Sequence, residues 1–245
     1  MAVTYHAPRR QPHPPPPVPH RRRPTADVDV VMDGTVIRTT VTFSADDVVT
    51  FLQEVQERFR KEVHEYKNLK EGQDQEQQGW EEERHCLIVG LDTECLQNED
   101  GKPRYQIAVL QLCIGDRCLV YQIHRAKYIV PAELEDFLAN PDFCFVVVGV
   151  GEDVKRLQDD CKLKVAHTMD LPQVAAVVLG RPDLQQAGLQ KLALEVMDTL
   201  IAKPKQVTMS SWAEPDLSSE QISYACIDAF VSFDVGRRLL CKPCV

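Results

Sequence analysis

The alternation of hydrophobic and polar positions divides the chain into strands and helices in mixed order. Val28–Met32 and Val36–Phe43 are rich in β-branched residues and flank Asp33-Gly34, a pair typical of a tight hairpin turn. From Ser44 onward, apolar residues recur every three to four positions, which predicts an amphipathic helix that fades into the polar stretch Glu71–Glu83. A hairpin and a helix therefore precede the main apolar segments.

The most apolar segments follow the polar stretch and begin at Cys86. Cys86–Leu91 is an almost unbroken apolar run, which is typical of a strand covered on both faces. Further strands are predicted at Ile107–Ile114, Cys118–Ile123 and Cys144–Val150. Helices are predicted at Pro131–Leu138, at Glu152–Asp160, and from Asp170 nearly to the end, with a break at Ala202–Met209. The sequence therefore predicts an α/β protein with a mixed β-sheet flanked by α-helices.

Composition separates an N-terminal leader from one folded domain. The first 24 residues contain eight of the sixteen prolines, five arginines and no acid, so we expect an extended or disordered leader. Two alternatives give this leader a function: its polyproline run could dock on a protein partner, or its arginines could form a basic nuclear-entry patch. The expected organisation is a leader at 1–26 and a domain at 27–245, which comprises a hairpin and helix at 27–70, a solvated connector at 71–84 and a core at 85–240.

Charge and cysteine content narrow the class of protein. Nine cysteines, an odd number placed partly in apolar segments, favour a reducing compartment, the nucleus or the cytoplasm, over a disulfide-bonded secreted domain. The sequence has no run of about eighteen apolar residues that could span a membrane. The net charge is −9, and the leader contributes only positive charge, so the folded domain is more acidic still. Contact with phosphates would then require that its few cations be concentrated locally.

Two acids follow the first apolar run of the core. Since side chains alternate along a strand, Asp92 and Glu94 project to the same face, one pleat apart. Two carboxylates at the end of a buried strand repel each other unless a cation lies between them. Acidic pairs with this spacing also arise by chance, so the pair needs support from elsewhere in the chain.

The last predicted helix supplies part of that support. Ser218 and Gln221 form a capping box at its start, and the helix extends to Leu240. Tyr224 and Asp228 are four residues apart and thus share a face, among apolar residues that should dock on the sheet. A buried acid needs a partner. A structural carboxylate that bonds to the backbone is the alternative interpretation of Asp228.

A third acidic position follows a strand that ends in glycines. Asp153 lies in the first turn of the next predicted helix, where an acid can also simply complement the helix dipole. Gly149 and Gly151 do not indicate a dinucleotide loop, because the third glycine of that fingerprint falls at Val154. Together the acids offer hard oxygen ligands, which suit Mg²⁺ or Mn²⁺. Two such ions about 4 Å apart could activate a water, which Tyr224 would orient, for in-line phosphoryl displacement.

Three ordered segments resemble the motifs of the DEDD exonuclease family, in its tyrosine-bearing branch. They are Leu91–Glu94, Phe145–Asp153 followed by Leu157, and Leu217–Ala229. This branch includes the Werner-syndrome-type and ribonuclease-D-type 3′–5′ exonucleases. Plant Werner-type members look most similar, because the resemblance extends through Leu110–Cys113, Gly188-Leu189 and Lys203-Pro204 and covers residues 27–240. It implies a ribonuclease-H-like fold and metal-dependent hydrolysis at the 3′ end of DNA or RNA.

The resemblance implies a role for each of five residues. Asp92, Glu94 and Asp228 would contact the two catalytic metal ions, and Asp153 would serve the second ion, partly through water. Tyr224 would position the nucleophilic water. All five residues are present, so the resemblance predicts a complete catalytic set.

Three positions depart from the family pattern. Cys95 stands where tryptophan is common, Val147 where glycine is usual, and the acidic segment 213–216 where Werner-type enzymes often carry basic residues. Acids in that segment should repel a phosphate backbone. The alternative function is therefore a nuclease-fold protein that binds nucleic acid or a protein partner and cleaves poorly.

Overall fold

A seven-stranded mixed sheet forms the centre of the computed structural model, which describes residues 25–71, 87–97 and 103–241. The strands are β1 (Thr25–Met32), β2 (Thr35–Thr42), β3 (Leu87–Gln97), β4 (Pro103–Ile114), β5 (Arg117–Tyr121), β6 (Phe143–Val147) and β7 (Thr168–Asp170). Their order in the sheet is β1-β2-β5-β4-β3-β6-β7. The pairs β2 and β5, β3 and β6, and β6 and β7 are parallel, and the other neighbours are antiparallel.

Helices cover both faces of the sheet, as the sequence predicts. The helices are α1 (Ala45–Glu71), α2 (Ala132–Ala139), α3 (Val150–Cys161), α4 (Leu171–Val178), α5 (Leu189–Leu192), α6 (Lys205–Thr208) and α7 (Ser219–Leu240). Buried side chains of α1, α2 and α3 share one apolar cluster with the sheet, and those of α4, α5 and α7 share another on the opposite face. In the described part of the chain, no helix is long and apolar enough to cross a membrane.

Helix α7 lies directly against β3 because Gly90 has no side chain. A Cβ atom at this position would lie 2.1 Å from the carbonyl oxygen of Ala229 and 2.6 Å from the amide nitrogen of Phe233. The backbones of β3 and α7 are therefore closer than any other residue at position 90 would permit. This approach fixes the relative position of the two elements that carry most of the predicted site.

The structure confirms the predicted hairpin and first helix and corrects several boundaries. β3 was expected to end with Asp92–Glu94, but it continues to Gln97, with irregular pairing after Glu94. β6 ends at Val147 rather than at Val150, because Gly149 adopts φ +86° and turns the chain into α3. The predicted leader 1–26 and connector 71–84 fall almost entirely outside the described residues, although Thr25 and Ala26 already pair with β2.

The segment after Asp170 differs most from the sequence prediction. The expected nearly continuous helix is a series of short helices. They are interrupted by a turn at Gly180 and by the non-helical segment before Pro204, and a 3₁₀-helix spans Pro182–Leu184. The predicted break at Ala202–Met209 contains the short helix α6. The three-residue strand β7, which precedes α4, was not predicted. Apolar spacing alone is the same in one long helix and in several short ones, whereas glycine and proline end a helix locally.

Candidate active site

The two acids of β3 lie on the face of the sheet that α7 covers. Asp92 and Glu94 alternate with Thr93, and they share their face with Gly90, which contacts α7. In the antiparallel register with β4, Asp92 is opposite Gln111 and Glu94 is opposite Val109. The prediction that the two carboxylates share one face is therefore confirmed, within a strand rather than at its end.

Helix α7 brings Tyr224 and Asp228 to this face. The helix begins with the predicted capping box, in which the Gln221 amide donates to the Ser218 hydroxyl (3.2 Å) and the Ser218 amide donates to Gln221 Oε1 (2.9 Å). Asp228 is 2% exposed, so it is the buried acid that the sequence predicts. The Tyr224 ring packs against the buried Trp212, with ring centroids 6.2 Å apart.

Asp153 approaches the other acids from the opposite side of β3. It lies in the first turn of α3, and the Thr93 hydroxyl donates a 2.6 Å hydrogen bond to its Oδ1. Arg156, one turn later in α3, lies 3.6 Å from the same oxygen. Thr93 thus links Asp153 to the strand segment that carries Asp92 and Glu94 on its other face. The structure thus brings the five predicted residues together, with Asp153 held by Thr93 and Arg156.

Lys203 is a cation in the site, and no role for it was evident from the sequence. Its Nζ donates a 2.7 Å hydrogen bond to Asp228 Oδ2 and lies 5.6 Å from the centre of the Tyr224 ring. Burial is the largest single effect and would lower the pKa of Lys203. The charge of Asp228, its hydrogen bond and the charges of Asp92 and Glu94 together outweigh burial, so the net shift is upward and the ammonium group stays charged. A cleft of about 220 Å³, lined in part by Asp92, Lys203 and Ser232, opens here.

The two carboxyl groups of β3, those of Asp92 and Glu94, are buried beside other acids and are therefore unfavourable in their charged form. Burial raises the pKa of Asp92 well above its ordinary value, and the charges of Asp228 and Asp153 raise it further. The pKa of Glu94 is also raised well above its ordinary value, first by burial and then by the charge of Asp92. Burial raises the pKa of Tyr224 as well, followed by the charges of Asp228 and Glu94, so its hydroxyl keeps its proton. Additional positive charge at this site would relieve the repulsion.

The donor set fits a divalent cation that prefers oxygen ligands. Asp92, Glu94, Asp153 and Asp228 supply carboxylate oxygens only, which suits Mg²⁺ or Mn²⁺ rather than a softer metal. Among the side chains of residues 25–61, 87–96 and 106–241, no three acids, histidines or cysteines are gathered to hold an ion as they stand. Two of these carboxylates already have partners: Lys203 donates to Asp228 and the Thr93 hydroxyl donates to Asp153.

The metal-free protein should lose stability as pH rises. A carboxyl group with a raised pKa holds its proton more tightly in the folded than in the unfolded protein. Its contribution to the stability of the fold is therefore fully present below its ordinary pKa, and it is lost as pH rises through its pKa in the folded protein. For Asp92 and Glu94 this loss begins near their ordinary values of 3.8 and 4.5. We expect the melting temperature in chelator to fall from pH 5 to pH 8 and Mg²⁺ or Mn²⁺ to restore it at pH 8. A melting temperature that rises from pH 5 to pH 8 and does not change when Mg²⁺ or Mn²⁺ is added would contradict the inferred repulsion among these carboxyl groups.

The departures from the family pattern lie around this site. The Cys95 sulfur accepts a hydrogen bond from Arg156 Nη1 (3.7 Å), and burial raises the pKa of the Cys95 thiol to about 11. Val147 is fully buried in the apolar cluster shared with α3. In the acidic segment 213–216, the Gln122 amide donates to the Glu214 carbonyl (3.2 Å), and Arg125 lies 3.9 Å from Asp216. Arg125 therefore offsets part of the negative charge of this segment.

A comparison with protein-family models matches residues 70–242 to a model described as 3′-5′ exonuclease. The chain is 25% identical to an Arabidopsis thaliana 3′-5′ exonuclease over 164 residues, which are 66% of the chain and 56% of that protein. It is 26% identical to the mouse bifunctional 3′-5′ exonuclease/ATP-dependent helicase WRN over 153 residues, 62% of the chain and 11% of that protein. The match thus spans less than two thirds of either relative.

Solved structures support the fold. The catalytic core of RRP6 from Trypanosoma brucei superposes with a TM-score of 0.61 at 15% identity, over 89% of the chain and 50% of that structure. NrnC of Brucella melitensis with bound Mg²⁺ superposes with a TM-score of 0.52 at 21% identity, over 64% of the chain and 74% of that structure. The predicted ribonuclease-H-like sheet flanked by helices is confirmed. The expectation of a plant-type member stays a prediction.

Proposed function

Because this chain belongs to the 3′-5′ exonuclease family, we propose that it hydrolyses the terminal phosphodiester bond at the 3′ end of DNA or RNA with two divalent metal ions. The observation that carries the proposal is that three neighbouring elements supply four carboxylates and one tyrosine around β3, where Asp92 lines the cleft. Asp92 and Glu94 come from β3, Asp153 from α3, and Tyr224 and Asp228 from α7.

Each of these residues has a distinct task in the proposed reaction. Asp92, Glu94 and Asp228 would hold Mg²⁺ or Mn²⁺, and Asp153 would serve the second ion, partly through water. When bound, such ions supply an activated water and stabilise the leaving oxygen. Tyr224 keeps its phenolic proton because of burial and neighbouring charge, so its hydroxyl can donate to the attacking water and fix its direction. The rigid docking of α7 on β3 at Gly90 keeps these groups in register.

Lys203 supplies the positive charge that the acidic domain needs near the cleft. Its ammonium group pairs with Asp228 in the metal-free protein, and it would be released when a metal ion takes that carboxylate. An ammonium group released in this way would attract the substrate phosphate beside the cleft. Local placement of this cation supports binding of nucleic acid despite a net charge of −9.

End-labelled substrates test the proposal directly. Purified protein is incubated with 5′-labelled single-stranded DNA, single-stranded RNA and a recessed-end duplex in Mg²⁺ or Mn²⁺, with chelator as the control. We expect a ladder that shortens from the 3′ end and disappears in chelator. Folded protein that binds these polymers or the metals but yields no ladder would instead favour the alternative, a nuclease-fold binding module.

Tyr224→Phe should separate orientation of the water from binding of substrate. The variant keeps the ring that packs on Trp212 and loses only the hydroxyl. We expect kcat to fall by about 10²-fold, the lower end for a positioned proton donor or acceptor, with KM nearly unchanged. Single-turnover and steady-state assays on the preferred polymer measure both constants. A kcat equal to that of the wild type would remove Tyr224 from the mechanism.

A further inference from the structure

Gln111 is a fully buried residue whose side-chain amide has no hydrogen-bond partner among the described residues. Its exposure is 0%, and both Oε1 and Nε2 lack a partner there. A buried carboxamide without a hydrogen bond costs about 1–3 kcal/mol, and such groups are rare in native proteins. An apolar residue of similar size, such as methionine, would fill the same space without this cost. The amide therefore calls for an explanation beyond packing.

The position of Gln111 in the sheet places it beside the candidate active site. In the antiparallel register of β3 and β4, Gln111 is directly opposite Asp92. Its neighbours on the same face of β4, Val109 and Cys113, belong to the apolar cluster under α7. Residues directly opposite each other in such a pair have Cβ atoms about 4.5–5.5 Å apart, which a glutamine side chain can bridge. The unpartnered amide and the Asp92 carboxyl group are thus neighbours under the same helix.

The chemistry of the two groups is complementary. Asp92 is one of the carboxylates proposed to hold the metal ions, and it lies directly opposite Gln111 in the sheet. The amide nitrogen of Gln111 is a neutral donor that adds no competing charge. Metal-ligating carboxylates are commonly fixed by such a hydrogen bond from outside the ligand shell, and loss of that partner typically costs 10- to 100-fold in metal affinity.

We propose that Gln111 is a positioning residue for Asp92. When a divalent cation is bound, its Nε2 donates a hydrogen bond to the Asp92 carboxylate, directly or through one buried water, and holds this carboxylate in the orientation that receives the cation. Water-bridged contacts of this kind are the usual resolution of buried polar groups that lack a protein partner. The proposal rests on the proposed function, since it assigns Gln111 a task in the same metal site.

The test compares Gln111→Met with the wild type by calorimetric titration of Mn²⁺ without nucleic acid. We expect the Kd for Mn²⁺ to rise by roughly 10- to 100-fold. The variant should therefore cleave more slowly at limiting Mn²⁺, and much of this loss of kcat should be recovered at saturating Mn²⁺. Gln122→Met is the matched control, because Gln122 is also a buried glutamine but bonds to the Glu214 and Pro215 carbonyls (3.2 and 3.4 Å). It should lower the melting temperature and leave the Kd for Mn²⁺ unchanged.

The outcomes separate this proposal from the proposed function. A Gln111→Met protein that binds Mn²⁺ as tightly as the wild type, while the wild type cleaves nucleic acid, overturns the role of Gln111 alone. Wild-type protein that neither binds Mn²⁺ nor cleaves overturns both. If the variant does not fold, a Mg²⁺-bound crystal structure of the wild type decides: Gln111 Nε2 should bond to the Asp92 carboxylate or to a water shared with it, and an amide bonded to neither refutes the proposal.

Discussion

Asp92→Asn is expected to lower kcat for 3′-terminal hydrolysis by at least about 10³-fold and to raise the melting temperature of the metal-free protein at pH 8. The loss of activity follows because a neutral amide is a poor ligand for a divalent cation, and the charge stabilisation supplied by a catalytic metal amounts to several kcal/mol, at about 1.4 kcal/mol per tenfold in rate. The gain in stability follows because the pKa of Asp92 is raised well above its ordinary value, so its charge is unfavourable in the folded protein.

The opposite signs of these two effects distinguish a catalytic acid from a structural one. Asp136→Asn is the matched control, because Asp136 is exposed on α2, on the face of the sheet opposite α7. It should change neither kcat nor the melting temperature appreciably. End-labelled hydrolysis and thermal unfolding in chelator measure the two quantities. An Asp92→Asn protein that is inactive because it no longer folds would contradict this interpretation of Asp92.

Gly90→Ala is expected to lower the free energy of unfolding by about 3 kcal/mol, at the upper end for overpacking in a core. The added Cβ would meet the Ala229 carbonyl at 2.1 Å and the Phe233 amide at 2.6 Å, and backbone atoms cannot rotate away as a side chain can. Helix α7 must therefore move away from β3. Activity should fall with stability, because Tyr224 and Asp228 move with the helix. Denaturant unfolding and the end-labelled assay measure the two losses.

Gly151→Ala controls for the general effect of replacing a glycine. Gly151 lies in the first turn of α3, and a Cβ there would meet no atom within 4 Å. Alanine is the better helix former by at most about 1 kcal/mol, so this variant should be as stable as the wild type or slightly more so. Equal stability of the two variants would show that the close approach of α7 to β3 at Gly90 does not limit the fold.

Much of the fold was predictable because its signals are local. The Asp33-Gly34 turn, the apolar run after Cys86 and the capping box at Ser218 each define an element within a few residues. The strand β7 has only three residues, and the short helices after Asp170 have no apolar period of their own. Their existence depends on contacts with the sheet, which local spacing does not encode.

The candidate site, like the fold, was predictable from the sequence only in part. The five residues Asp92, Glu94, Asp153, Tyr224 and Asp228 could be predicted together, because strand alternation, helix spacing and the family resemblance each constrain them. Lys203 and Gln111 were not predicted as site residues. Lys203 lies 25 positions before Asp228, with which it pairs, and Gln111 meets Asp92 only through the register of β3 with β4. Contacts between elements distant in sequence require the tertiary structure.

Anomalous diffraction from Mn²⁺ in crystals of the wild-type protein, grown with a nucleoside monophosphate, tests the central claim most directly. We predict two manganese peaks at the carboxylate oxygens of Asp92, Glu94 and Asp228, the second of them served by Asp153, with Lys203 Nζ displaced from Asp228. Manganese bound elsewhere, or no peak while Lys203 still pairs with Asp228, would contradict the assignment of this cleft as a two-metal exonuclease site.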